Sequence, residues 1–215
     1  MKAVIFDLDG VIVNTARYHY LAWRKLARDL GFEFGADQNE RLKGVSRMES
    51  LEIVLEQGHI TNLSMREKEM LADKKNQYYQ QMISNLSEGD ILPGIPKFLK
   101  KIKLRGYASA LGSASKSAKL ILARVRLDSC FDAVVDGGMV ERAKPNPDIF
   151  QKAADLLKVP YQNCIVVEDA AVGIEAAKNA GMKSIGIGDK DILFGADIIL
   201  PATEHLADVD LEKLF

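Results

Sequence analysis

The sequence has 215 residues, of which 47% are hydrophobic and 27% are charged, a composition typical of a globular protein with a substantial core. The 29 Lys and Arg residues nearly balance the 30 Asp and Glu residues, and the net charge of −1 excludes a general polyanion binder. We therefore expect no nucleic-acid partner, and we expect a monomer whose partners are small molecules.

The first apolar run, Met1 to Phe6, is too short for a signal peptide or a membrane span, because Asp7 and Asp9 interrupt it. The two cysteines, Cys130 and Cys164, form no CxxC motif and lie beside strand-like apolar residues. Both are predicted to be buried free thiols in a reducing compartment. We expect a cytoplasmic protein with no membrane segment.

A short buried strand over residues 3–6 is predicted to end in a loop of sequence Asp-Leu-Asp-Gly. Helices follow, and each is marked by apolar spacing or by capping residues. They are predicted over residues 15–30, over about 47–56, and from the Ser64–Glu67 capping-box pattern to the mid-eighties. Residues 14–88 are therefore predicted to form a helical block.

After residue 93 the predicted elements alternate between helices and strands. The helices cover 96–105, 113 onward, 147–157 and 170–180, and the strands cover 107–111, 133–136, 164–168, 184–187 and 198–200. This alternation predicts a three-layer α/β/α, Rossmann-like parallel sheet core built from residues 1–13 and 89–215. Residues 14–88 would be an inserted α-helical cap domain, which is well placed to act as a lid.

Reactive side chains follow the ends of four predicted core strands, where ligands bind in sheets of this kind. They are Asp7 and Asp9, then Ser113, then Lys144, then Glu168 and Asp169. Clustered carboxylates repel one another unless a cation or protons neutralise them, and a hard divalent cation prefers oxygen ligands. An acid at a loop start often caps a turn, but the joint placement favours a metal site. We predict a magnesium site formed by Asp7, Asp169 and a backbone carbonyl near Asp9, with Glu168 beside it.

Asp7 and Asp9 are two residues apart, so in an extended chain their side chains would point to the same side. One carboxylate can attack phosphorus while the other moves a proton to or from a substrate oxygen. Lys144 and the Ser113 hydroxyl would spread the charge on the transferring group, which is the main task in phosphoryl transfer. The pattern therefore predicts a phosphoryl-transfer enzyme.

The same residues resemble the motifs of the haloacid dehalogenase-like superfamily, in order and over most of the chain. The matching segments are Phe6 to Gly10, Ser113, Lys144–Pro145, and Glu168–Asp169 with Gly173 following. The resemblance implies that Asp7 is the aspartyl-phosphate nucleophile and Asp9 the general acid/base. It implies phosphate binding by Ser113 and Lys144. It also implies magnesium ligation by Asp7, Asp169 and the carbonyl of Asp9, with support from Glu168, and a helical cap after the first strand.

The helical block adds candidate substrate contacts. Thr15, His19 and Trp23 are four residues apart and share one helix face, although His19 and Trp23 taken alone fit packing roles better. The basic turn that follows can present Lys43 to a sugar oxygen and Arg47 to a phosphate, unless it is simply a solvated turn. In the core, residues 113–116 are predicted to open a helix, whose free N–H groups suit an anion.

Together these segments resemble the β-phosphoglucomutase family over nearly the whole chain. The resemblance implies interconversion of β-D-glucose 1-phosphate and glucose 6-phosphate through an aspartyl phosphate and enzyme-bound β-glucose 1,6-bisphosphate. It implies that His19 and Lys43 position the cap against the sugar and that Thr15 helps to arrange Asp9. The positions implied to contact the sugar or its distal phosphate are Trp23, Lys43, Gly44, Arg47, Ser50, Lys75, Ser115 and Lys116.

Two positions depart from the family pattern, and other functions stay open. Ser117 stands where some members have Asn, and Asn14 stands where an acid is often found, so we expect altered affinity rather than a new reaction. A phosphatase with the same core, acting on a sugar phosphate or phosphoglycolate, is the nearest alternative. The intact acid pair disfavours a silent phosphate-binding module. The absence of a glycine-rich pyrophosphate turn after the first strand disfavours a nicotinamide enzyme.

Overall fold

The computed structural model describes residues 1–42 and 45–215, and the chain divides into two compact units. One unit comprises Met1–Asn14 and Leu86–Phe215, and the other comprises Thr15–Asn85. The second unit is therefore inserted soon after the first strand of the larger unit. The substrate contacts predicted for Lys43 and Gly44 lie outside the described residues.

The larger unit is built on a six-stranded parallel sheet with the order β3-β2-β1-β4-β5-β6. Its strands are β1 (Ala3–Phe6), β2 (Ala108–Gly112), β3 (Ala133–Val135), β4 (Cys164–Glu168), β5 (Lys183–Ile187) and β6 (Ile198–Leu200). Phe6, the last residue of β1, is opposite Leu111 of β2 and Val167 of β4. Residues that follow β1, β2 and β4 therefore meet at one edge, beside the point where the strand order reverses and where ligands bind.

The regular secondary structure of the inserted unit is helical throughout its described residues. Its helices are α1 (Ala16–Asp29), α2 (Ala36–Asn39), α3 (Arg47–Gln57) and α4 (Met65–Ile83). The predicted capping box of α4 is confirmed, because the Glu67 N–H donates to Ser64 Oγ and the Glu67 carboxylate accepts from the Ser64 N–H. The buried apolar faces of these helices form one core, which contains Trp23, Leu26, Ala27, Phe34, Leu42, Leu51, Val54, Leu55 and Ala72.

Helices cover both faces of the sheet, which confirms the predicted three-layer architecture. They are α5 (Ile95–Leu104), α6 (Ala118–Arg124), α7 (Asp148–Leu157) and α8 (Ala171–Asn179). Ile5 shares one buried cluster with residues of α7 and α8, whereas the next residue, Phe6, contacts Phe98 of α5 with ring centroids 5.8 Å apart. Successive strand residues point to opposite faces, so this alternation places α5 on the face opposite α7 and α8. Each fully buried Phe side chain stabilises the fold by about 1.5–3 kcal/mol.

Short 3₁₀ turns complete the chain. They cover Glu40–Leu42, Glu88–Asp90, Asp128–Cys130, Tyr161–Asn163, Thr203–Asp208 and Leu211–Lys213. Within the described ranges, no helix combines the length and the apolar character that a membrane crossing requires.

The segment after β2 differs from its prediction. The helix begins at Ala118, and residues 113–117 form tight turns in which serine hydroxyls replace helical hydrogen bonds. Ser113 Oγ accepts the N–H of Ser115 at 3.1 Å, and Ser115 Oγ accepts the N–H of Ser117 at 3.2 Å. Serine side chains compete with the helix for backbone donors in this way. The prediction that residues 113–116 open a helix is therefore wrong.

The prediction for the cysteines is right at one position and wrong at the other. Neither cysteine is in a disulfide, and Cys164 is buried at the start of β4. Cys130 is exposed, because it ends a 3₁₀ turn on the surface before the chain enters β3.

Candidate active site

A buried ion cluster lies at the carboxyl edge of the sheet. Asp7 follows β1, and its Oδ1 lies 2.6 Å from Nζ of Lys144. The same ammonium lies 3.3 Å from Oε1 of Glu168, the last residue of β4. The Lys144 and Glu168 side chains are each 1% exposed. The ammonium also lies 4.8 Å from the centre of the Phe150 ring, a contact that we did not predict from the sequence.

The cluster places two carboxyl groups against the ammonium of Lys144. Burial by itself lowers the pKa of Lys144, but the attraction of Asp7 and Glu168 outweighs burial and raises that pKa above its ordinary value. Burial and the neighbouring charge of Asp7 raise the pKa of Glu168 well above its ordinary value. Lys144 therefore stays positively charged, and its ammonium faces the carboxyl groups of Asp7 and Glu168.

The carboxylates fit a divalent cation. Asp7, Glu168 and Asp169 each offer one oxygen, and these oxygens lie within 4.8 Å of one another. Oε2 of Glu168 is buried and has no hydrogen-bond partner among the described residues. A hard cation prefers oxygen ligands and would offset the negative charge of ionised carboxylates. This acidic group could therefore hold a metal ion.

Two glycines allow carboxylates to lie against the backbone. Gly10 has a φ of +83°, and a Cβ at that position would lie 2.1 Å from Oδ2 of Asp169. A Cβ at Gly173, in the first turn of α8, would lie 1.7 Å from Oε1 of Glu168. Any larger residue would displace these carboxylates. Both glycines lie in segments that resemble the family motifs, but the steric reason for a glycine there is visible only in the structure.

The remaining predicted core residues lie along the same edge. Asp9 is half-buried in the turn after β1, which is closed by the Gly10 N–H donating to the Val13 carbonyl at 2.9 Å. Ser113 follows β2, is fully buried, and donates its N–H to the Val135 carbonyl. Its hydroxyl oxygen accepts from the following turn, so the hydroxyl hydrogen can donate to an anion.

The two residues predicted for the distal phosphate lie in the turns that follow β2. Ser115 is half-buried and Lys116 is exposed. These turns lie directly before α6, which begins at Ala118. Their binding role stays a prediction.

In the helical unit, His19 and Lys75 form a second polar cluster. Nζ of Lys75 lies 2.9 Å from Nδ1 of His19, and Lys75 is 4% exposed. An ammonium group can only donate, so Nδ1 accepts and the proton of the neutral imidazole resides on Nε2. The ammonium lies 4.6 Å from the ring centre of Trp23, and the Tyr79 ring centre lies 3.9 Å from that of His19. The chain thus fixes the tautomer of His19.

The other predicted residues of the helical unit lie in or near its core. Arg47 begins α3 and donates to Oδ1 of Asn76 at 3.1 Å. Trp23 belongs to the buried apolar core of the unit, and Thr15 and Ser50 are buried. Roles in substrate binding for Thr15, Trp23, Arg47 and Ser50 stay predictions.

The environment of His19 predicts a loss of stability in acid. Burial and the positive charges of Lys75 and Arg47 lower the pKa of His19 well below its ordinary value. In the unfolded chain His19 binds a proton near its ordinary pKa, so acid favours unfolding. We expect protonation of His19 in the unfolded chain to lower the free energy of unfolding by about 1.4 kcal/mol as the pH falls from about 7.5 to about 5.5.

The matched variant is His19→Asn, which cannot take up the proton. Urea unfolding of both proteins at the two pH values isolates the contribution of this side chain from that of every other titrating group. Equal pH dependence in the two proteins would contradict the prediction.

Comparisons with known proteins agree with this geometry. The model of the haloacid dehalogenase-like hydrolase family matches residues 1–181. The chain is 45% identical over 215 residues to a β-phosphoglucomutase of Bacillus subtilis, covering 100% of this chain and 94% of the relative. It is 30% identical over 187 residues to a phosphorylated carbohydrates phosphatase of Thermotoga maritima, covering 86% and 84%. The crystal structure of a β-phosphoglucomutase from Clostridium difficile matches with a TM-score of 0.92 and 42% identity, covering 99% and 95%.

The matched stretch of 181 residues contains the acid pair after β1, the lysine of the buried cluster and the acidic end of β4. The chain therefore belongs to the haloacid dehalogenase-like hydrolase family.

Proposed function

We propose that this protein is a phosphoglucomutase that interconverts β-D-glucose 1-phosphate and glucose 6-phosphate. One observation carries the proposal: the chain is 45% identical to a β-phosphoglucomutase over all 215 residues. The phosphatase relative is more distant, at 30% identity over 86% of the chain. The buried ion cluster at the sheet edge supplies the phosphoryl-transfer chemistry that both classes share.

In this proposal Asp7 is the nucleophile. Its carboxylate attacks phosphorus, the bond between phosphorus and the donor oxygen breaks, that oxygen takes a proton from Asp9, and an aspartyl phosphate forms. A sugar hydroxyl then attacks the aspartyl phosphate and gives its proton to Asp9, which produces β-glucose 1,6-bisphosphate. After the bisphosphate reorients, its other phosphate returns to Asp7 by the reverse of these steps. Lys144, at 2.6 Å from Asp7, would balance the charge of the transferring group.

We propose Mg²⁺ as the resident cation, held by Asp7, Asp169 and the backbone carbonyl of Asp9, with Glu168 in support. The clustered carboxylate oxygens support this assignment, as does Oε2 of Glu168, which has no hydrogen-bond partner in the part of the chain that the structure describes. The cation would contribute positive charge where the phosphoryl oxygens become more negative.

We further propose that the helical unit is a cap domain, because it is inserted soon after the strand that leads to the nucleophile. Nε2–H of His19 would donate to a sugar oxygen, since Lys75 occupies Nδ1. Arg47 would bind a phosphate, and Ser115 and Lys116 of the core would hold the phosphate that does not react. A mutase requires exclusion of water, because water would discharge the aspartyl phosphate.

The reaction products test the function. The purified protein is given β-D-glucose 1-phosphate, Mg²⁺ and a trace of β-glucose 1,6-bisphosphate, and glucose 6-phosphate and free phosphate are measured in the same samples. We expect glucose 6-phosphate to exceed released phosphate by at least about 100-fold, because water must be excluded at each turnover. Predominant release of phosphate would instead establish a phosphatase. A parallel series with phosphoglycolate would then identify its substrate class.

We also propose that the protein works in the cytoplasm, as a monomer, on small sugar phosphates. The free state of both cysteines supports a reducing compartment. The net charge of −1 gives no general attraction to nucleic acid.

A further inference from the structure

The ammonium of Lys144 contacts both Asp7 and Glu168, although the lysine lies on neither a strand nor a helix. It lies in the connection between Val135, the end of β3, and Asp148, the start of α7. A lysine side chain has four flexible carbons, so the position of its ammonium depends on how firmly its backbone is held. Glu141 and Arg142, which precede it in this connection, are exposed and give it little apolar support.

An ion pair closes this connection around Lys144. Nε of Arg142 donates to Oδ2 of Asp148 at 2.9 Å, and Nη2 of Arg142 donates to Oδ1 of Asp148 at 2.7 Å. Two parallel hydrogen bonds fix direction as well as distance. Asp148 is the first residue of α7, where the helix dipole favours a carboxylate. The pair therefore joins the flank before Lys144 to the rigid helix after it.

Side-chain amides hold the carbonyls on both sides of the lysine. Nδ2 of Asn146 donates to the Ala143 carbonyl at 3.2 Å, on the N-terminal side. Nδ2 of Asn179, the last residue of α8, donates to the Pro145 carbonyl at 3.0 Å, on the C-terminal side. α8 packs on β4, which ends in Glu168, the second ion-pair partner of Lys144. The hydrogen bond from Asn179 therefore connects the segment around Lys144 to the helix that packs beside Glu168.

We propose that Arg142, Asp148 and Asn179 are positioning residues, which hold the backbone of Lys144 so that its ammonium reaches Asp7. Their role in turnover rests on the proposed function, but their effect on Lys144 does not. The Arg142 side chain is 64% exposed, and exposed ion pairs contribute little to global stability. Loss of the pair should therefore free Lys144 without unfolding the protein.

The test is the reactivity of each lysine toward an amine-reactive ester, followed by peptide mass spectrometry on the full chain. In the wild type, Lys144 and Lys75 are both buried and should react slowly. In Arg142→Ala and in Asn179→Ala we expect labelling of Lys144 to rise about tenfold, because local opening controls access. Arg142→Lys, which keeps the charge but loses the two-point contact, should recover part of the protection.

Two controls separate positioning from general loosening. Lys75 lies in the helical unit, so its labelling should stay at the wild-type level in every variant. The Lys183–Asp197 pair, at 2.7 Å, is another exposed ion pair of the larger unit, and Lys183→Ala should leave Lys144 protected. Unchanged labelling of Lys144 in both Arg142→Ala and Asn179→Ala would overturn the proposal. A parallel rise at Lys75 would overturn it as well.

Turnover provides an independent measurement. If Arg142 acts through Lys144, Arg142→Ala should lower kcat about tenfold with a smaller change in KM. The same substitution in a Lys144→Met protein should cause no further loss, whereas an additive loss would overturn the proposal. If the wild type forms no glucose 6-phosphate, the proposed function fails, and the labelling result still decides the role of Arg142.

Discussion

Asp7→Asn should abolish turnover, with kcat lowered by at least about 10⁴-fold. The neutral amide is a poor nucleophile and cannot form the aspartyl phosphate. Two measurements check this: the rate of glucose 6-phosphate formation, and the transfer of labelled phosphate from β-glucose 1,6-bisphosphate to the protein. Both should fall together, because one carboxylate carries the phosphate in both directions.

Asp7 is also an ion-pair partner of Lys144, so the substitution needs a folding control. Circular dichroism and the urea midpoint show whether Asp7→Asn remains folded. Asp155→Asn, an acid of the same unit whose carboxylate accepts from the Tyr161 hydroxyl, is the matched change outside the site. Asp155→Asn should retain wild-type turnover. Appreciable turnover or labelling of a folded Asp7→Asn protein would exclude the covalent mechanism.

Lys144→Met should lower the free energy of unfolding by about 3 kcal/mol. Methionine fills much of the volume of the lysine stem, but it leaves the carboxyl groups of Asp7 and Glu168 without their ammonium. We also expect kcat to fall by about 100-fold, because a fixed charge beside the transferring group is lost. Urea unfolding in metal-free buffer and the product assay measure the two effects.

Added Mg²⁺ should reduce the stability loss of Lys144→Met, since a bound cation offsets the same repulsion. Lys183→Met removes an exposed ion pair and should cost at most about 1 kcal/mol. Equal stability losses for the two lysine variants would show that the buried cluster is not held together by Lys144. A loss that is unaffected by Mg²⁺ would argue against a cation site at these carboxylates.

Local interactions determined what could be predicted from the sequence alone. The apolar run over residues 3–6 forms β1, and Ser64 with Glu67 caps α4, because each pattern involves residues only a few positions apart. The alternation of strands and helices after residue 93 was enough to predict a parallel three-layer core. Acids, a serine and a lysine after successive strands indicated the candidate site, since parallel strands end at one edge.

Only the tertiary structure decided how those side chains meet. Asp7 and Lys144 are 137 residues apart, and their 2.6 Å contact depends on the path of the connection after β3. Gly173 is needed because Glu168 packs against it, a contact that its position in the sequence does not reveal. The turns after Ser113 replace a predicted helix because hydroxyl groups compete for the same backbone donors. Sequence patterns report local preference, whereas packing and competition among long-range partners fix the final positions of the reacting atoms.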